Sequence, residues 1–151
     1  MSQNLFTLLF QYIPEEIAVV FMILVFLKNE INYKLILGLA VLMGFLTYLI
    51  RLLPIAFGFH SILSLIVLSL LISIIVKVNK FHIFIAVLKT AIILLLIEIV
   101  TINFFLHITG YTIEQVNHNM YIRTLAVLPQ TIILFLIACG VRYYYNTRSL
   151  E

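Results

Sequence analysis

The sequence is poor in the groups that a water-facing surface needs. It contains no aspartate and no tryptophan, and charged residues make up only 10% of its 151 positions. Hydrophobic residues make up 64% and the mean hydropathy is +1.22, whereas soluble domains are close to half apolar. So few charges cannot cover the exterior of a soluble domain. We therefore predict an integral membrane protein whose exterior is covered by the lipid bilayer.

Cysteine and net charge exclude further classes of protein. The single cysteine, Cys139, excludes an intramolecular disulfide, and its position in an apolar run predicts a small buried hydrophobe. The net charge of +3 is too small and too scattered to indicate a nucleic-acid partner. No basic residue precedes Lys28, so the charged start of a signal peptide is missing. We interpret Leu150-Glu151 as a cloning remnant, which leaves residues 1–149 as one transmembrane domain.

Five apolar runs divide the chain, and each is close to the length of about 17 to 25 residues that a helix needs to cross a bilayer. The runs are about 4–27, 34–53, 59–76, 81–106 and 122–141. We therefore predict an all-α bundle of about five transmembrane helices.

The basic residues between these runs predict the orientation of the bundle. Most of them fall in the first loop, the third loop and the tail, on one side of the membrane. These six are Lys28, Lys34, Lys77, Lys80, Arg142 and Arg148. The other side has only Arg51 and Arg123, at helix ends. Because cytoplasmic segments are enriched in Lys and Arg, we expect the C-terminus in the cytoplasm and the N-terminus outside.

The first run has two interpretations. Pro14 followed by Glu15 and Glu16 is typical of a helix that begins at the proline, so residues 3–12 either span the membrane or lie on it. A helix from Pro14 to Lys28 is short for a span. A polar stripe at helical spacing favours one continuous, kinked helix with the stripe turned toward protein. The stripe consists of Asn4, Thr7, Gln11 and Glu15.

Ionisable residues inside the spans indicate function, because burying them in a bilayer is costly. Glu15, Glu16, Glu98, Arg51 and Arg123 all share the extracellular half in the predicted topology. We expect them to converge, with Glu98 or the Glu15/Glu16 pair bonding the two arginines around an outward-facing cavity. The alternative is that these pairs only hold the helices in register.

Two further polar residues, His60 and Gln130, belong to the predicted ligand-binding or polar network. Gln130 follows Pro129, which removes a backbone donor inside the fifth span. The histidines of the outer loops match the spacing of no metal motif. We therefore predict neither a metal site nor a cofactor.

Two local motifs predict structural details. The segment Thr112-Ile113-Glu114-Gln115 fits a capping box, so a short helix is expected over residues 113–119. Ala40 and Gly44 have the spacing of small residues that allow close helix contact.

No catalytic motif is recognisable. The Glu15-Glu16 pair resembles the paired glutamates of membrane-embedded prenyl-protein proteases, but the arginine expected shortly afterward is missing. Cys139 and His82 both lie near the predicted cytoplasmic boundary, as a cysteine-histidine peptidase would require, yet nothing in the sequence brings them together. We predict that the chain is not an enzyme.

Three stretches resemble a known module. They are YLIRLLPIAFGFHS at 48–61, IPEE at 13–16 and RTLAVLPQ at 123–130. Together they are similar to the N-terminal membrane sensor region of Firmicutes histidine kinases of the GHKL type, related in style to accessory-gene-regulator peptide receptors. The resemblance implies signal reception without kinase activity in this chain, which is either an excised sensor region or a free-standing relative.

The sequence thus favours a sensory module that binds an extracellular or membrane-dissolved ligand and signals through its C-terminal helix. The partners compatible with this function are a peptide or small molecule, a cytoplasmic kinase domain and a second copy of the chain. A small-molecule carrier or substrate-binding transporter subunit is the first alternative, although we find none of the internal repeats that transporters often have. A structural membrane subunit without a ligand is the second alternative.

Overall fold

The computed structural model describes residues 5–29, 32–53 and 59–148, and all of the regular structure in these ranges is helical. Helix α1 spans Leu5–Phe26 and α2 spans Tyr33–Leu52. The later helices are α3 (Phe59–Ile75), α4 (Lys80–Thr109), the short α5 (Ile113–His118) and α6 (Met120–Arg148). Each predicted apolar run corresponds to one of these helices, and α6 continues beyond the predicted end at residue 141.

Four of the helices, α1, α2, α4 and α6, are long and apolar enough to cross a membrane. Helix α3 has 17 residues, which at the rise of an α-helix is about 25 Å. That length is slightly below the roughly 30 Å of a hydrocarbon core. The prediction of an all-α membrane protein is confirmed at this level, and the crossing by α3 stays a prediction.

Helix α1 lies at the centre of the bundle. Its residues 18–25 are all buried, which is typical of a helix that has other helices on every side. Helices α2, α3, α4 and α6 follow one another around it, each packed on the next. The earliest helix of the chain is therefore the core of the fold.

Helices α1 and α6 run parallel. Phe6 packs on Tyr121 at their N-terminal ends with ring centroids 5.0 Å apart, and the Lys28 ammonium lies 5.0 Å from the ring of Tyr145 at their C-terminal ends. We name the end at which α1 and α6 finish the lysine end. It holds Lys28, Lys34, Lys77, Lys80, Arg142 and Arg148. The opposite end holds Arg51 and Arg123, and we name it the network end.

The interior differs between the two ends. Toward the lysine end the core is apolar, and Ile23, Ile72 and Ile83 expose 0% of their surface. Toward the network end polar side chains are buried. They are Thr7, Gln11, Thr47, Thr101, Thr124 and Gln130. Most of the buried polar side chains among the described residues therefore lie toward the network end, and Thr90 of α4 is the exception.

The connection from α4 to α6 follows the predicted local motif. The Gln115 backbone N–H donates to Thr112 Oγ1 at 3.3 Å, and the Thr112 N–H donates to Gln115 Oε1 at 2.9 Å. This is the predicted capping box, and it begins α5 at Ile113. Gly110 ends α4 with a φ of +71°, a conformation that glycine adopts without the steric cost of a side chain.

Candidate functional site

The candidate site begins at an irregular turn in α1. Residues Leu8–Tyr12 form a π-helix, in which the Ile13 N–H donates to the Leu8 carbonyl five residues earlier. Pro14 follows directly and has no N–H to donate, so the regular hydrogen-bond ladder is already interrupted here. Turns of this kind are common at functional sites. The helix nevertheless continues to Phe26, so the segment from Leu5 onward belongs to one continuous helix, as predicted.

The turn buries polar side chains of α1. Gln11 is 4% exposed, Tyr12 1% and Thr7 5%. The predicted polar stripe therefore faces protein at Thr7 and Gln11, while its first member, Asn4, lies outside the described residues. The Oγ1 atom of Thr7 and the Oε1 atom of Gln11 have no hydrogen-bond partner in the structure. Buried polar atoms are nearly always paired, so these two oxygens require an explanation.

The two adjacent carboxylates of α1 point to different helices. Gln130 Nε2 of α6 donates to Glu15 Oε1 at 3.3 Å, and Thr47 Oγ1 of α2 donates to Glu16 Oε1 at 3.0 Å. The two carboxylates therefore diverge, and together they join α1 to α2 and α6, the two helices that pack most extensively on it.

Gly44 permits the close approach of α1 and α2 at this point. A Cβ atom on Gly44 would lie 2.9 Å from Ile13 Cγ1 and 3.4 Å from the Ile13 backbone. The predicted small-residue contact is therefore present at Gly44. Since Gly44 precedes Thr47 by about one helical turn, this contact also sets the distance between Thr47 and Glu16.

Arg51 meets α1 through an aromatic ring. Its guanidinium lies 4.7 Å above the ring of Tyr12, and its Nη1 atom donates to the Tyr12 hydroxyl at 3.4 Å. Glu15 in turn is close enough to Arg51, Glu98 and Arg123 to interact with them electrostatically. Arg51 is therefore linked electrostatically to the carboxylates, with Tyr12 as a contact that the sequence analysis did not include, while the direct bonds between arginine and glutamate around an outward-facing cavity stay a prediction.

Arg123 enters the network from the first turn of α6. It is half-buried and close enough to Arg51, Glu15 and Glu98 to interact with them electrostatically. Two guanidiniums and two carboxylates from four helices therefore share one region. The same helix carries Gln130, so α6 contacts the charges of α1 at two levels.

Glu98 stands at the edge of this region. Its side chain is exposed on the outside of α4, whereas Thr101, about one turn later on the same helix, is buried. It nevertheless interacts electrostatically with Glu15 and Arg123. The expectation that all the ionised groups are hidden between helices is therefore wrong for Glu98, because its side chain lies on the face of α4 that points away from the bundle.

His60 has a different position from the other predicted site residues. Its Nδ1 atom lies 3.0 Å from the Ile50 carbonyl oxygen, and since a carbonyl only accepts, Nδ1 carries the hydrogen. The contact ties the start of α3 to the end of α2, beside Arg51. Within the described residues no three His, Cys, Asp or Glu side chains are grouped so that they could hold a metal ion.

The cysteine and histidine considered for catalysis do not form a buried site. Cys139 is exposed on the outside of α6, so the prediction of a buried cysteine is wrong. His82 is exposed near the start of α4. The neighbouring Ala138 takes the inward position on α6 instead, with 0% exposure.

Tyr12 and Thr47 are the network residues that sequence reasoning missed. Neither belongs to the residue types Asp, Glu, Lys and Arg, so a search for costly charges could not find them. A signal exists for Tyr12, because it precedes Glu15 and Glu16 by about one turn. Thr47 precedes Arg51 by the same interval on α2.

Comparisons with known proteins give no relative: no family model, no curated protein and no solved structure matches the chain. The resemblance to kinase sensor regions therefore stays a prediction. Of its longest stretch, 48–61, residues 54–58 lie outside the described residues.

Proposed function

We propose that this chain is a receptor-like sensory module of the cell membrane, which binds a ligand at the network end and signals through α6. In this proposal α3 also crosses the bilayer, which gives five spans. The basic residues of the lysine end then face the cytoplasm by the positive-inside rule, and the N-terminus lies outside. A slightly short α3 is tolerated by local thinning of the bilayer.

The hydrogen bond from Gln130 to Glu15 carries this proposal. It joins the polar network to α6, which continues without interruption to Arg148 at the lysine end. The 29 residues of α6 are about 43 Å long, which exceeds a hydrocarbon core of about 30 Å. A ligand that changes the contact at Gln130 would therefore displace a helix whose far end projects toward a cytoplasmic kinase domain or partner.

Unsatisfied polar atoms favour a ligand over a purely structural role. A network that only holds helices in register is expected to have every buried donor and acceptor paired. The oxygens of Thr7 and Gln11 are not paired in the structure. A bound molecule would supply hydrogen-bond partners for these two oxygens.

A reporter fusion tests the proposal. The cytoplasmic part of a dimeric histidine kinase is joined after Arg148 in a continuous helical register, and autophosphorylation is measured in membranes. We expect Gln130→Leu to change the basal output several-fold, because it releases α6 from Glu15. The matched control is Thr131→Val, since the Thr131 hydroxyl only contacts the Val127 carbonyl of its own helix at 3.4 Å.

Equal output from both variants and the parent chain would contradict signalling through α6. Purified chain in proteoliposomes provides the second measurement. Accumulation of a solute that depends on Glu15 would identify the chain as a carrier instead.

A further inference from the structure

Lys28 has a backbone conformation that is unusual for its residue type. It follows the end of α1 with a φ of +52°, in the left-handed region that favours glycine. The Lys28 N–H donates to the Val25 carbonyl at 3.0 Å, and the Asn29 N–H donates to the Leu24 carbonyl at 3.1 Å. These bonds form a Schellman motif, which usually has glycine at the position of Lys28. Strained residues cluster at functional sites, which indicates a role for the lysine side chain.

The side chain of Lys28 belongs to a row of cations and aromatic rings that joins α1 to the end of α6. Its ammonium lies 5.0 Å from the ring centroid of Tyr145. The ring centroids of Tyr145 and Tyr144 are 6.1 Å apart, and the Arg148 guanidinium lies 5.1 Å from the centroid of Tyr144. We name these four residues the basic row. Both cations are exposed, so their N–H donors are accessible to a partner outside the protein.

The contact between Lys28 and Tyr145 shows where the basic row lies relative to a bilayer. Lys28 comes two residues after the last residue of α1, and Tyr145 lies beside it on α6. Arg148 is three residues further along α6, a rise of about 4.5 Å. Tyrosine is enriched at membrane–water interfaces, and Lys and Arg side chains reach toward them. In a bilayer the basic row therefore lies in the layer of the lipid headgroups.

The charge around the basic row has one sign. The lysine end holds six basic residues, and the Lys89 ammonium of α4 also comes within 5.9 Å of the ring of Phe26, the last residue of α1. Helices α2 and α4 begin at this end, so the positive ends of their dipoles add to the field. Glu30 and Glu151 lie outside the described residues, and the six basic residues outnumber them as well. The acidic residues that the structure describes lie away from this end: Glu15, Glu16, Glu98 and Glu114.

Depth and aromatic content distinguish between anionic partners. A surface of one sign attracts partners of opposite charge. An acidic protein or a nucleic acid approaches from water, whereas lipid phosphates already lie at the level of the basic row. The exposed rings at this end, among them Tyr33 at 72% and Tyr143 at 75% exposure, suit a headgroup layer. A zwitterionic lipid carries its own cation beside the phosphate, while an anionic lipid leaves the phosphate charge unopposed.

We infer that the basic row is a binding surface for anionic phospholipids. Lys28 and Arg148 contact headgroup phosphates, and the rings of Tyr144 and Tyr145 lie among the headgroups. Because the row joins α1 to α6, bound lipid holds the end of α6 at the membrane surface. The inference is independent of the proposed receptor function, since it concerns the opposite end of the bundle and needs only a bilayer.

Thermal unfolding of the full chain in dodecylmaltoside, titrated with dioleoylphosphatidylglycerol, tests the inference. Dioleoylphosphatidylcholine is the control lipid, with equal acyl chains and no net charge. We expect saturable stabilisation by the anionic lipid and little by the control lipid. Arg148→Gln should weaken the apparent affinity about fivefold, which is the attraction expected for one basic residue at an anionic surface.

The matched control variant is Lys77→Gln, which removes one charge from the lysine end outside the basic row. It should change the affinity less than about twofold, because salt screens a charge that does not contact the headgroup. Lys28→Gly should fold as well as the parent chain, since glycine adopts the positive φ without a steric cost. It should nevertheless weaken the affinity about fivefold, whereas Lys28→Arg, which keeps the charge, should retain it.

Three results would overturn the inference. Equal losses in Lys77→Gln and Arg148→Gln would mean that the whole lysine end attracts lipid without a site at the basic row. Equal stabilisation by the two lipids would mean that the acyl chains alone are bound. Stabilisation by inorganic phosphate at the same concentration would mean a site for small anions instead of a lipid surface. The receptor proposal fails separately, through a silent Gln130→Leu in the reporter fusion.

Discussion

The contact of Gly44 with Ile13 gives the sharpest prediction for the fold, because α2 contains its own control. At Gly44 a Cβ atom would approach Ile13 Cγ1 to 2.9 Å, whereas at Gly38 it would have no heavy atom within 4 Å. Replacing a helical glycine by alanine stabilises a helix by up to about 1 kcal/mol. Overpacking a well-filled contact costs about 1 to 3 kcal/mol. Gly38→Ala should therefore be stabilising, and Gly44→Ala should be neutral or destabilising.

The difference between the two variants should be about 1 to 3 kcal/mol in the free energy of unfolding. For a chain of this size this corresponds to about 2 to 4 °C in Tm for each kcal/mol. Thermal unfolding of both variants in the same detergent measures it. Identical Tm values would refute the close packing of α1 on α2. A destabilised Gly38→Ala would show instead that α2 packs on another element near its start.

Three further changes test separate parts of the structure. Thr47→Val leaves the Glu16 carboxylate without its hydrogen-bond donor and should lower the free energy of unfolding by about 1.5 to 3 kcal/mol. The control is Thr90→Val, which removes only a hydrogen bond to its own helix and should cost less than about 1 kcal/mol. Chemical unfolding of both variants measures the difference. Thr112→Ala should weaken α5 by about 1 kcal/mol, measured as faster amide hydrogen exchange in α5. In a cysteine-free background, a membrane-impermeant maleimide should label Glu114→Cys and not Lys77→Cys in intact cells.

Each of these predictions has a result that contradicts it. Equal destabilisation by the two threonine variants would remove the contact to Glu16 as a source of stability. Unchanged exchange in α5 would mean that packing on α6, and not the capping box, holds this helix. Labelling of Lys77→Cys alone would reverse the proposed orientation.

The helices follow from the sequence because a bilayer leaves few alternatives. A backbone without water must satisfy its hydrogen bonds internally, so every long apolar run becomes a helix, and its ends fall near Asn32, Asn79 and Gly110, which cap or terminate helices by local rules. The capping box at Thr112 was equally local. These features depend on a few adjacent residues, and for that reason sequence patterns predict them well.

The site was predictable in part. The convergence of Glu15, Arg51 and Arg123 follows from the cost of charges in hydrocarbon, which drives them toward one another. The contact between Arg51 and Tyr12 depends on how α1 turns within its π-helix, and no spacing rule fixes that rotation. Glu98 shows the same limit, because its outward direction depends on how α4 packs against the other helices.

The central position of α1 has a consequence for how the protein is made. Glu15 leaves the ribosome early, yet its hydrogen-bond donor Gln130 lies 115 residues later in the chain. At a synthesis rate of about 5 to 20 residues per second, that interval lasts about 6 to 23 s. During this time the carboxylates of α1 lack their partner on α6. We therefore expect the insertion machinery to keep α1 out of the lipid until α6 has been synthesised. Truncated nascent chains that end before α6 should therefore stay crosslinked to the translocon.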